Sequence, residues 1–172
     1  MSNTIISTTL NSGTIADLTQ DKLDAIKGLI QTYIPGMANV SYGILLPGDE
    51  NIKAPCVMLQ PKSKTPKMYT TAKYHTTTQI DVMYYVGDDQ PTSAVIKATN
   101  VGQIFEKLFS NNALGDLGST NSNNFKQYFP HWIDSEMSVA QFSQPYKYWI
   151  NPGPKYFAMG FFKLTLQTVQ IE

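Results

Sequence analysis

The amino-acid sequence predicts an α+β fold, with a mixed or antiparallel sheet of about four to five strands and two helices packed on one face. Two of the strands are expected to be long, and one hairpin to project. Three observations predict this. Residues 72–86 alternate with period 2, placing Tyr74, Thr76, Thr78, Ile80, Val82, Tyr84 and Val86 on one face. Lys73, His75, Thr77, Gln79, Asp81, Met83 and Tyr85 fall on the other. Residues 156–171 alternate again, with Ala158, Gly160, Phe162, Leu164 and Leu166 as a core face. Two further segments carry apolar residues at helical spacing, one of them closed by Pro-Gly.

The chain of 172 residues is the length of one domain. Residues 1–13 are polar, anchored by Ile5 and Ile6, and read as a loose N-terminal arm. A first helix follows, capped by Asp17 with Gln20 or by Thr19. Leu23, Ile26, Leu29, Ile30, Tyr33 and Ile34 form its apolar stripe, and Pro35-Gly36 ends it. Short strands are expected at about 40–46 and at 56–60, the second fenced by Pro55 and Pro61. Residues 61–71, rich in Lys and poor in apolar side chains, read as the tip of a hairpin that pairs 56–60 with 72–86. Gly87-Asp88-Asp89 breaks the long strand, and a second helix starts near Pro91. Ala94, Ala98, Val101, Phe105 and Leu108 share its stripe, joined by Ile104 and Phe109. Residues 110–130 read as a long polar loop. A strand at 132–139 has Ile133, Met137 and Val139 on one face, and 141–155 is an irregular connector of prolines and aromatics.

Strand length carries the functional expectation. Fifteen strand residues extend about 50 Å, whereas a compact domain of this size is roughly 40 Å across. Such strands outrun the body, and exposed edges and apolar strand ends need a partner to cover them. In the last strand the second face is polar in the middle but apolar at both ends, with Phe157, Met159 and Phe161 at one and Val169 and Ile171 at the other. These five are the candidate subunit contacts. Lys62, Lys64, Lys67 and Tyr69, in the hairpin, are candidates for contact with a partner or with a lumen. Five lysines (Lys53, Lys62, Lys64, Lys67, Lys73) cluster in or near that hairpin, which suits either an acidic partner or simple protection of an edge.

Composition excludes much else. Lys plus Arg and Asp plus Glu both number 13, so no net charge pulls the protein toward nucleic acid or membrane. Every basic residue is Lys, and the absence of Arg argues against bidentate reading of bases. Cys56 is the only cysteine, which rules out an intrachain disulfide. Residues 1–4 lack the charged start of a signal peptide, and no apolar stretch nears the roughly 20 residues of a bilayer span. Synthesis in the cytosol without a membrane partner is expected.

No catalytic, metal or cofactor constellation is expected. His75 and His131 lack metal-ligand spacing, and Cys56 sits among apolar residues as a buried thiol would. Asp88 and Asp89 fit a turn and a helix N-terminus better than a metal pair. Asp134 and Glu136 share a strand face, and an enzyme or ligand-binding module would use them with the aromatics Tyr146, Tyr148, Trp149, Tyr156 and Phe157. Packing or subunit contact is the alternative for these aromatics.

The segment Ala54-Pro-Cys-Val-Met-Leu-Gln-Pro61, then a variable hairpin, then Thr78-Gln-Ile-Asp-Val-Met-Tyr-Tyr-Val86, resembles the tail terminator and neck (head-tail joining) proteins of tailed bacteriophages. So does the closing Phe161-Phe-Lys-Leu-Thr-Leu-Gln-Thr-Val169. The resemblance lies in short motifs and in element order, from about Leu18 onward. It implies a structural virion protein: a homo-oligomer, commonly a hexameric ring, that caps the tail tube protein and joins head-side connector proteins. DNA would pass through its lumen unread. A head-completion protein, or another neck component, fits the same resemblance.

Overall fold

The computed structural model describes residues 19–37, 39–43, 54–70, 73–109, 132–150 and 153–171. Helix α1 (Thr19–Tyr33) leads through a single 3-10 turn (Pro35–Met37) into β1 (Val40–Tyr42). Strands β2 (Cys56–Thr70) and β3 (Lys73–Asp88) precede α2 (Pro91–Phe109). Then come β4 (Trp132–Met137), β5 (Gln141–Phe142), β6 (Tyr146–Ile150) and β7 (Gly153–Ile171). The expected arm at 1–13, the Asp17 cap and the loop at 110–130 lie outside the described residues.

Among the described residues the sheet is mixed and has seven strands, in the order β1-β2-β3-β7-β4, with β5 and β6 also paired to β7. β1 runs parallel to β2; the other pairings are antiparallel. β3 and β7 pair without a break from Lys73↔Ile171 to Asp88↔Tyr156, so the two alternating segments are neighbours along their whole length. β2 pairs with β3 over almost the same span, with register shifts at Pro61/Ser63 and Met68/Thr70. At 15, 16 and 19 residues, these three strands form a ribbon of about 50–60 Å along its axis.

Both helices pack on the face made by the even-numbered residues of β3 and β7. Leu23, Ile26, Leu29 and Ile30 of α1 and Ala94, Ala98, Phe105 and Phe109 of α2 join Val57, Leu59, Ile80, Val82, Tyr84, Phe162 and Leu164 in one buried cluster. The expected stripes are thus the core, except that Ile104 points outward and is exposed. Phe105 and Phe162 pack tilted against Tyr84 and Phe109 stacks on Phe105, with ring centroids 5.1–6.5 Å apart. Tyr84 donates a hydrogen bond to the Ala98 carbonyl of α2 at 2.8 Å. Ser135 of β4 donates to the Phe109 carbonyl at 2.7 Å, satisfying a carbonyl at the end of α2.

Four expectations are corrected. Residues 61–70 are strand rather than hairpin tip, because Ser63 to Met68 keep their ladder to β3 across the lysines and prolines. The hairpin projects on one side only: Pro61 to Lys67 are all exposed, whereas Thr76 and Thr78 of its inner strand are buried. The connector at 141–155 is not irregular. It supplies β5, β6 and the first residues of β7, which raises the strand number from the expected four or five to seven. Val139 lies past the end of β4 and is 89% exposed; among the described side chains of β4, Ser135 is buried and Met137 packs against the core.

Candidate interaction surfaces

The outer edge of β7 is covered by β4, β5 and β6 in succession, and the gaps between these short strands are closed by serine hydroxyls. The Lys163 N–H donates to Ser138 Oγ at 2.9 Å while Ser138 N–H donates to the Lys163 carbonyl. Four residues along, the Met159 N–H donates to Ser143 Oγ at 3.1 Å and Ser143 N–H returns the bond. Each serine supplies both an acceptor and a donor where a strand has just ended. Gln141 then faces Phe161, and Tyr146 faces Phe157. The apolar start of β7 is therefore edged by the chain's own connector.

The helix-free face of the sheet is apolar at this end. Cys56, Met58 and Tyr85 are buried to 2% exposure or less, with Ala54, Met83 and Met159 packed against them. This departs from the expected polar face at Met83 and Tyr85, and Asp81 beside them is buried too. Strands apolar on both faces read as continuous hydrophobic runs, as Cys56-Val-Met-Leu59 does. Burial pushes the Cys56 thiol up to about 11 and the Tyr85 hydroxyl up to about 12.

Phe157, Met159 and Phe161 all lie half-buried along this end. The Phe157 ring rests over Gly87, where an added Cβ would stand 2.9 Å from Cε1. Met159 belongs to the buried cluster, and Phe161 lies opposite Met83 and Gln141. Val169 lies at the far end of β7, twelve positions from Phe157, or about 40 Å away. The five candidate contacts are thus not one patch. Instead, Val169 shares a row with His75 and Lys67. Tyr69 and Ile171 are in strands, but their side chains lie outside the described residues.

The lysines line an edge. Beyond Leu59, no described strand pairs with the outer side of β2. Lys62 occupies the register shift and its Nζ sits 3.4 Å from Asp81, while Lys64 and Lys67 are exposed. Lys22 of α1 is fully buried and donates to Thr78 Oγ1 at 2.6 Å, a core role that its residue type did not announce.

Among the described residues, the other titratable groups are spread over separate places in the fold. Asp88 accepts from the Gln90 N–H at 3.0 Å and pairs with Lys97 at 2.5 Å, ahead of Pro91 at the first turn of α2. Its hydrogen bonds to Lys97, the Gln90 N–H and Ser93 hold the carboxyl down at about 2. Asp89 is exposed, 3.9 Å from Lys155. Glu136 faces Thr165 and Tyr146 faces Phe157, about 26 Å apart along β7, so the carboxylate and the connector aromatic do not share a pocket. A shallow cleft of about 370 Å³ lies instead between the end of α1 and the first half of α2, lined by Ile34, Met37, Pro55, Val86 and Val101, with Lys97 beside them. Among the described residues, no group of three or more His, Cys, Asp or Glu side chains is placed to hold a metal ion. No described helix is long and apolar enough to cross a membrane. His131 lies outside the described residues.

No protein-family model matches the chain, and no curated protein matches it either.

Proposed function

We propose that this chain is a structural virion protein of a tailed bacteriophage, a ring-forming tail terminator that caps the tail tube and joins it to the head-side connector. The observation that carries the reading is the β2–β3–β7 ribbon. Its length exceeds the body of a domain this size, and a mechanical part uses such a ribbon to reach a neighbour. The resemblance implies a helix, a strand after a proline, a long partner strand, a packing helix and a C-terminal strand, and α1, β2, β3, α2 and β7 follow one another in that order, with β1 and β4 to β6 in addition. Head-to-tail contacts between copies close into a ring, here proposed as a hexamer, when the rotation permits. The work is done by fit, without catalysis, cofactor or membrane, and DNA crosses the lumen unread. The protein is made in the host cytoplasm and ends in the virion neck.

The test is the mass of the protein in solution, alone and mixed with tail tubes of the phage that encodes it. A ring-sized species, either free or bound to tubes, is expected. A compact monomer in both conditions would sink the proposal.

A further inference from the structure

The outer side of β2 carries its own polarity, which the neighbouring hydrogen bonds reveal. Val57 N–H donates to the Asn39 carbonyl and the Leu59 carbonyl accepts from Gly43 N–H, so residues 57 and 59 turn their backbone groups toward β1. Alternation then turns Cys56, Met58 and Gln60 toward β3, opposite Tyr85, Met83 and Asp81. Pro61 continues the outward phase. After the shift at Lys62, Ser63, Thr65 and Lys67 face Gln79, Thr77 and His75, which continue the same β3 series. Lys64 and Pro66 consequently turn their backbone outward. Both prolines of this edge place their nitrogen where a strand added from outside would need an N–H.

We infer that the outer edge of β2 is built to refuse a strand, so that a second copy of this chain cannot extend the sheet there. Three independent features act together: two missing outward donors, a register shift clamped by Lys62 to Asp81, and exposed lysines along the edge. The prolines cost the hairpin nothing, because their nitrogens lie outside its ladder. This inference concerns the free protein and holds whether or not the chain terminates a tail. For a ring it has one consequence: subunit contacts at this edge run through side chains, not through a continued sheet.

Pro66→Val restores an outward N–H, and Thr65→Val places the same Val side chain at a position whose N–H already faces β3. Sedimentation of the full chain across a concentration series should show Pro66→Val, and more so the Pro61→Val/Pro66→Val pair, self-associating at about tenfold lower concentration than wild type, the worth of one regained backbone hydrogen bond. Thr65→Val should match wild type. Equal association of Pro66→Val and wild type, or equal gain from Thr65→Val, would overturn the inference. Loss of the fold in Pro66→Val would overturn it too, since the nitrogen is placed outside the ladder.

Discussion

Tyr84 joins the second helix to the sheet, and two glycines make room for it. A Cβ at Gly160 would stand 2.0 Å from Tyr84 Cζ, and one at Gly102 would stand 2.7 Å from its hydroxyl. The ring cannot swing aside without losing its bond to the Ala98 carbonyl and its contacts with Phe105 and Phe162. Gly160→Ala is therefore expected to cost about 2 kcal/mol or more through overpacking, measured by denaturant unfolding. Asp88 makes a different prediction. Its folded value of about 2 lies below the ordinary 3.8, so its contribution to stability is present above 3.8 and is lost as pH falls through about 2. Asp88→Asn should narrow the difference in unfolding midpoint between pH 5 and pH 2; an unchanged difference would remove Asp88 from the acid response.

Among the elements, β3 and β7 were legible because strict alternation extends through them, and both helices because their apolar stripes are wide. β2 was legible only as far as Gln60. Its outer half carries the residues of a loop, Lys and Pro, since an edge strand with one partner needs neither apolar side chains nor outward donors. β5 and β6 were hidden for another reason: two and five residues are too few to show a period, and serine hydroxyls replace part of their ladder. Cys56 was legible as a buried thiol, but Lys22 and the burial of Tyr85 and Asp81 on the face beside it were hidden, because both depend on which surfaces the tertiary fold brings together. The serine joints are testable. Ser143→Ala leaves the Met159 N–H without its acceptor and should cost about 1 kcal/mol, with faster amide exchange at Met159.

For the whole molecule, the ribbon sets what the protein is able to reach. Its start is edged by the connector and backed by a sulfur-rich apolar cluster, and its far end carries Lys67, His75 and Val169 in one row. The apolar residues proposed for assembly therefore separate by role. Met159 packs in the cluster, so Met159→Ser should lower stability by about 1–3 kcal/mol. Phe161, opposite the exposed Gln141, should tolerate Ser with a smaller loss of stability and weaken assembly more; the reverse ranking would make Phe161 core and Met159 the contact. The most direct measurement of the terminator reading is tube growth. Tail tubes incubated with this protein and then supplied with fresh tube subunits are predicted to keep their length and to show a ring at one end by negative stain. Tubes that lengthen as far as untreated ones, with bare ends, would contradict it.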